Sequence, residues 1–429
     1  MSAAPETFST AITPLSAPAG QAAPGCPFGQ AAARLFDPRL HAEGDPREIW
    51  RRLRGLDLLE WESHEEGAGF WSVANFAEAD AVLRDHTRFT SERGTWLDLL
   101  GKGDPAGGKQ IAATDPPRHN GMRARLNKAM TARALENQRG RVRTLIRKLL
   151  EPLGEGTFDF AEAMLVLPMA VSGALLGVPE EDWPMLVRLS CACTAPEDPE
   201  FAHPGGKAVT LTRAHRELFA YFTDLVRERA GHTGDDLISV LLETRFEGRA
   251  MELGEVISNC YSLLLGANVT TPHMPGFVLN EFAGTDLLRE WSTNPSLTAT
   301  ALEEGLRLAS PVSHFMRYAS CDTVVRGTEI KAGDAVVVWI GSANRDESVF
   351  RDSETFDLRR KPNKHLAFGA GPHYCVGHSV ARMSLKILFA ELFGRFEDFE
   401  VVGEPQRLRS NFVHGLKHLP ITARRKNSD

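Results

Sequence analysis

One cysteine of this chain lies inside a glycine-rich run, His365-Leu366-Ala367-Phe368-Gly369-Ala370-Gly371-Pro372-His373-Tyr374-Cys375-Val376-Gly377, with no second cysteine nearby. An apolar run follows at once, with Val380, Met383, Ile387, Leu388 and Phe393 at helical spacing, interrupted by Arg382, Lys386 and Glu391. A helix with so wide an apolar face is mostly buried. Cys375 is therefore predicted in the first turn of an interior helix, where unpaired N–H groups and the helix dipole favour a thiolate. A lone cysteine can simply be a small core hydrophobe. Against that, Gly369, Gly371 and Gly377 permit close backbone approach or positive φ, and His373 adds a polar group that packing does not require. Zinc would need several Cys or His ligands, and a covalently attached haem needs Cys-x-x-Cys-His; neither is present. A single axial thiolate on a haem fits.

A second stretch could handle protons. Leu253, Val256, Ile257, Cys260, Tyr261 and Leu264 repeat at helical spacing and lead into Gly266-Ala267-Asn268-Val269-Thr270-Thr271-Pro272-His273. Gly266 and Ala267 leave room for a flat ligand against the backbone. Pro272 and Pro275 lack N–H groups, so the carbonyls of Asn268 and Thr271 lose their helical partners. The ladder is predicted to open over Asn268–Thr271, leaving space and acceptors for water or dioxygen. By themselves these residues would read as a kinked core helix. Upstream, Asp115-Pro116-Pro117-Arg118-His119 marks a helix start. His119 and Arg123 share one face; with Arg125, Lys128 and Arg133, charges alone would read as a solvated basic face.

Together these stretches resemble the cytochrome P-450 family of haem-thiolate monooxygenases. Phe-Gly-x-Gly-x-His-x-Cys-x-Gly, here Phe368 to Gly377, is similar to the family's haem-binding loop. Asp-Pro-Pro-x-His-x-x-x-Arg is similar to its propionate-binding segment, and Gly266–Thr271 to its oxygen-activating helix. Glu304 and Arg307 match its Glu-x-x-Arg, with Arg360 as the third member; alone, such a pair is most often on the surface. The four signatures occur in the family's order, and the likeness runs from about residue 30 to the C-terminus.

The resemblance implies a mainly helical fold with a small β-rich lobe enclosing haem b, with dioxygen as co-substrate. Cys375 would be the iron ligand, flanked by Phe368 and Gly377. His119, Arg123, Arg317 and His373 would hold the propionates, and Gly266 and Ala267 would lie against the macrocycle. Thr270, with Thr271 and Asn268, would steer protons, while Glu304, Arg307 and Arg360 would hold the cysteine loop. Trp96, Leu97, Val269, His273, Val312, Phe315, Phe412 and Val413 would line the substrate pocket. One departure matters: Val269 stands where most members carry Asp or Glu, an acid thought to route protons. Proton delivery must then use water, Thr270, the Asn268 carbonyl, His273 or the substrate. Two outcomes follow from the same haem chemistry, hydroxylation or related C–H oxidation in secondary metabolism, and oxidative coupling or cyclisation without oxygen insertion. A haem-thiolate sensor without turnover is a third reading.

The elements needed to position these residues can be read along the chain. A short helix over Ile49, Leu53 and Leu56 precedes strands near Leu59–Trp61 and Gly69–Val73, and a helix begins at Phe76. Thr90 to Gly108 is a loop with embedded Trp96, Leu97, Leu99 and Leu100, either a packed surface loop or a cover over substrate. Val142 to Leu153 is a helical stripe, and Phe160 to Leu176 a second buried helix. Residues 191–208 read as irregular, at the place of the family's mobile roof, before a long amphipathic helix with Leu218, Phe222 and Leu225. Val324 to Val338 reads as short strands. Asn411–Gly415 reads as a hairpin tip, with His414 either in the pocket or in an exposed turn.

Composition supports the same class. The 429 residues carry 49 Lys and Arg against 56 Asp and Glu, a net charge of −7, which argues against nucleic-acid binding. Residues 1–25 contain no Lys or Arg, are rich in Ala, Pro, Ser and Thr, and read as a disordered tail; 26–429 reads as one domain. The tail lacks the pattern of a signal peptide, and Met164 to Val178 is too short to span a bilayer. Cysteines at 26, 191, 193, 260, 321 and 375 form no disulfide framework. The expectation is a monomeric cytoplasmic protein without a membrane anchor. It would act on a small molecule and draw electrons from a separate ferredoxin or flavodoxin and its reductase, because no flavin or iron–sulfur segment is visible.

Overall fold

The computed structural model describes residues 35–64, 68–131, 135–231, 234, 236–246 and 248–427. The predicted tail, Cys26 and Arg133 lie outside the described residues. Helices are the dominant element, making up about half of the chain, with short strands gathered into small sheets. The largest sheet has the spatial order Glu60–Ser63, Gly69–Val73, Ala335–Trp339, His314–Ala319 and Phe89–Thr90. Its central pair, Gly69–Val73 and Ala335–Trp339, is parallel, and every neighbour is antiparallel. Val336, Val337 and Val338 are fully buried, as a strand covered on both faces requires.

Four helices frame the region that matters for chemistry. Arg118–Ala129 carries His119 and Arg123; Leu253–Asn268 runs through the interior; Thr298–Ala309 carries Glu304 and Arg307; His378–Arg395 follows the cysteine loop. Glu252 and Glu255 form a reciprocal capping box that pins the start of the Leu253–Asn268 helix. Its other end is set by proline. Val269 is the C-cap, and a new helix, His273–Phe282, begins directly after Pro272. The opening predicted over Asn268–Thr271 is thus present as a break between two helices.

Three local expectations are corrected. Phe160 to Leu176 is two helices, Phe160–Leu165 and Met169–Leu176, because Pro168 cannot donate to the ladder and instead heads the second. Cys191 and Cys193 belong to the Trp183–Thr194 helix, where Leu186, Val187, Ser190 and Cys191 are buried; the irregular link spans only 195–206. Cys375 precedes its helix rather than entering the first turn, since Gly377 is the N-cap.

Candidate active site

The cysteine loop is seated by backbone contacts that only glycine tolerates. Gly369 and Gly371 have φ of +70° and +66°. A Cβ on Gly371 would lie 2.6 Å from the Cα of Arg84 and 2.7 Å from the carbonyl of Leu83, so the loop rests on the Phe76–Arg84 helix. The Cys375 N–H donates to the Phe368 carbonyl at 2.8 Å, and the His378 N–H to the Cys375 carbonyl at 3.3 Å. Residues 371–382 are all half-buried although the helix they enter becomes core. Burial pushes the Cys375 thiol up; the Gly377 N–H and the charges of Arg123 and Arg382 oppose it.

The helix break presents its own polar groups. The Thr270 hydroxyl donates to the Gly266 carbonyl at 3.2 Å. The Asn268 amide nitrogen donates to the Leu264 carbonyl at 2.9 Å, while its buried Oδ1 has no partner. A Cβ on Gly266 would meet nothing within 4 Å. Val269 is buried in an apolar cluster with Leu264, Leu265 and Val413.

A basic group gathers beside the loop. His119 is fully buried and both of its ring nitrogens lack partners. Its ring sits 4.4 Å from that of His373. Arg123 donates to the Tyr374 carbonyl. Arg317 is buried in the His314–Ala319 strand and donates to the Met316 carbonyl at 2.8 Å. Asp115 stands beside them, 3.4 Å from His373 Nε2 and also bonded to Thr90 Oγ1. Burial, with the His373 and Arg123 charges, lowers His119 to about 4, and burial lowers Arg317 to about 10.

Glu304 and Arg307 are both fully buried. Glu304 accepts from Arg307 Nε at 2.8 Å and Nη2 at 2.7 Å, from Arg360 Nε at 2.9 Å and from Asn363 Nδ2 at 3.0 Å. Arg307 also donates to the carbonyl of Asn344 at 2.8 Å, and Asn344 Oδ1 accepts from the Leu366 N–H at 2.7 Å. The pair thus reaches the start of the cysteine loop through one asparagine.

The residues proposed for the pocket divide. Trp96 meets Phe412 edge-to-face at 4.7 Å, and Val312 pairs with Val413 in an isolated bridge. Phe315 lies 3.8 Å from where a Gly369 Cβ would be. Leu97 and His273 face elsewhere. Leu97 packs under the sheet with Phe70, Met316 and Trp339. His273 is turned against Gly415, whose Cβ would overlap its ring. The resemblance placed both beside the pocket, but side-chain direction is settled by packing across the chain. His414 is on the inner side of the tip, its Nδ1 donating to the Ala309 carbonyl at 2.9 Å.

A network behind the loop was not singled out from sequence. Glu303 accepts from Arg382 Nε and Nη2, both at 2.7 Å, and lies 3.1 Å from His365 Nε2. Arg382 stands over the Phe368 ring at 4.4 Å. Its signal was a charge inside an otherwise apolar helix, which in a buried element demands a partner.

At the mouth, Lys207 Nζ lies 2.9 Å from both Asp98 and Glu197, joining the 97–99 turn to the link after Trp183–Thr194. Part-exposed pairs of this kind contribute up to ~1 kcal/mol and weaken with salt. Lys207→Ala should therefore accelerate ligand release a few-fold in stopped-flow and remove most of its ionic-strength dependence. An unchanged salt response would show that the pair does not hold the two loops.

Haem-thiolate oxidoreductases are the class that this arrangement defines: a cysteine on a glycine-seated loop, an interior helix opened beside two threonines, and a cationic rim. The family model "Cytochrome P450" matches residues 293–419. "Cytochrome P450 NovI" of Streptomyces niveus is 35% identical over 396 residues, covering 90% of this chain and 95% of that protein. Linalool 8-monooxygenase of Pseudomonas putida is 32% identical, covering 90% and 98%. The crystal structure of P450 OxyD, involved in the biosynthesis of vancomycin-type antibiotics, superposes with a TM-score of 0.81 at 30% identity, covering 91% and 99%. The chain belongs to the cytochrome P450 family, and it is an enzyme of the monooxygenase type that uses haem and dioxygen, acts on small molecules and works with redox partners. Among the described residues no helix is long and apolar enough to cross a membrane.

The residues fit a haem. A planar dianion needs cations at one edge and smooth walls on its faces; the orphaned nitrogens of His119, the buried Arg317 and the open space at Gly266 meet those needs.

Buried neutral histidines make the fold acid-sensitive. His273 and His414 are each lowered by burial from 6.5 to about 4. As pH falls below 6.5 the unfolded chain takes up these protons first. Stability should therefore drop between pH 6.5 and about 4, by at most roughly 3 kcal/mol per residue. Urea titrations across that window test this, and His414→Gln should flatten the profile.

Proposed function

We propose that this chain is a haem b monooxygenase that oxidises C–H bonds of a small, largely apolar organic molecule in secondary metabolism. The observation carrying this reading is Cys375 on its glycine-seated loop; the haem would lie between that loop and the Thr270 break. The relatives named above supply the secondary-metabolism context; the apolar guest is suggested by Trp96, Val312, Phe315, Phe412 and Val413. Cys375 would ligate the iron between Phe368 and Gly377, and Gly266 and Ala267 would border the macrocycle. His119, Arg123, Arg317 and His373 would bind the propionates by charge-assisted hydrogen bonds. Bound there, the haem supplies dioxygen activation, helped by electron density from the thiolate.

The chain's own groups handle the protons. With its hydroxyl hydrogen turned to the Gly266 carbonyl, Thr270 Oγ presents lone pairs to an incoming donor. The unpaired Oδ1 of Asn268 can hold a water beside it. Thr271 adds a second hydroxyl at the break. Val269 keeps one wall apolar where a carboxylate would otherwise bring water, and this favours a second reading, oxidative coupling or cyclisation without oxygen insertion. Electrons would come from a separate ferredoxin or flavodoxin and its reductase; the exposed Arg125 and Lys128 suit an acidic donor. We place this single-domain enzyme, working as a monomer, in the cytoplasm.

Titrating the ferric haem protein with a small-molecule library, while following the haem absorption band, tests the first reading. A shift to high spin with one compound class names a free substrate. No shift with any compound, thiolate ligation intact, points to a carrier-bound one. Turnover under isotopic dioxygen separates the chemistries: label at the attacked carbon means hydroxylation, and an unlabelled coupled or cyclised product means the second reading.

A further inference from the structure

Three segments far apart in sequence meet on one imidazole. His314, fully buried at the start of its strand, accepts a hydrogen bond at Nε2 from the Leu97 N–H at 3.0 Å. Its Nδ1 donates to the Asn411 carbonyl at 3.1 Å. The two bonds demand one state of the ring, neutral with the proton on Nδ1. The ring also packs edge-to-face on Phe412 at 5.5 Å and on Trp339 at 5.4 Å. Leu97 follows Trp96, and Asn411 precedes Phe412, so the imidazole sits behind the Trp96–Phe412 contact.

We propose that His314 is a positioning residue that sets the width of the substrate chamber by clasping the Trp96–Leu97 loop to the Asn411–Phe412 tip. The inference rests on the haem-site reading for its consequence, but the clasp itself does not. A loop amide left without a partner would exchange freely and let Trp96 swing away from Phe412. Water cannot substitute easily, because Leu97, Asn411 and His314 are all buried. The chamber wall is thereby fixed from behind by a residue that need not touch the substrate. A leucine at 314 fills similar space without either bond. A glutamine carries one acceptor and one donor on a planar amide and can make both.

Hydrogen exchange of the peptide containing Leu97 is the first measurement, made on the unmodified haem protein. The Leu97 amide should exchange as slowly as strand amides, and exchange at the rate of an exposed loop would overturn the proposal whether or not any variant folds. His314→Leu should then raise its exchange at least about tenfold, with His314→Gln restoring much of the protection. The second readout is the ratio of affinities for imidazole and 4-phenylimidazole, followed by the haem band. Imidazole binds the iron without reaching the wall. 4-Phenylimidazole reaches it, so the ratio should change about fivefold or more in His314→Leu and return toward normal in His314→Gln. An unchanged ratio, or a change that glutamine fails to reverse, would reduce His314 to a packing residue. Failure of the haem-thiolate reading would show separately, as a missing thiolate signature in the carbon monoxide complex with Leu97 exchange unaltered.

Discussion

Cys375→Ser should leave a folded protein that no longer gives the carbon monoxide spectrum of a thiolate-ligated haem, with substrate turnover down on the order of 10³-fold or more. The fold should survive because the loop is held by other groups. Gly371 rests on the Phe76–Arg84 helix, and the Cys375 N–H, unaffected by the side chain, bonds the Phe368 carbonyl at 2.8 Å. The cationic rim, with His119, Arg123 and Arg317, should still retain some haem. What is lost is the soft, electron-rich ligand that no hydroxyl replaces. Circular dichroism and the carbon monoxide difference spectrum together check this. A retained thiolate band in a folded Cys375→Ser protein would remove Cys375 from the iron.

The largest loss of stability should come from Glu304→Ala. Both members of the Glu304–Arg307 pair are fully buried. Removing one leaves an unpaired buried charge, which costs about 3–5 kcal/mol. That is a large fraction of the 5–15 kcal/mol that folded proteins typically hold. The damage should also spread. Arg360 Nε and Asn363 Nδ2 lose their bonds to Glu304, and Arg307, freed from its fork, also ties down the carbonyls of Asn344 and Ser353. Since Asn344 in turn holds the Leu366 N–H, the variant should incorporate haem poorly as well as unfold at lower urea. Arg307→Lys should be nearly as harmful, because an ammonium cannot reproduce the two parallel bonds at 2.8 and 2.7 Å. A midpoint shift equivalent to less than about 1 kcal/mol would show that the pair is dispensable.

Much of the site was legible because its chemistry is local. The loop from Phe368 to Gly377 carries its cysteine, its turn glycines and its histidine within ten residues, and two prolines after Val269 announce the helix break before any contact is known. The Glu304 and Arg307 spacing of three puts both on one helical face, which sequence can specify. Burial of that pair, and its link through Asn344 to Leu366, could not be read from spacing. Nor could the direction of Leu97, which turns under the sheet, or of His273, which turns to Gly415. Glu303 and Arg382 were each visible as charges near apolar runs, but 79 residues separate them.

The amino-acid sequence by itself determined the local features of the candidate site: one cysteine in a glycine-rich loop, threonines before a proline that breaks the helix, valine in place of an acid, and Glu304 and Arg307 three residues apart. These depend on backbone chemistry within a few residues, where φ, missing N–H groups and helical period act directly. Only the tertiary structure decided which of them share a space. It brought His119 against His373 with tilted rings, buried Arg317 beside them, turned Leu97 and His273 away, and brought Leu97 and Asn411 onto the His314 imidazole. Such choices arise from packing and hydrogen-bond satisfaction between distant segments, where a periodic pattern names a face but not its partner.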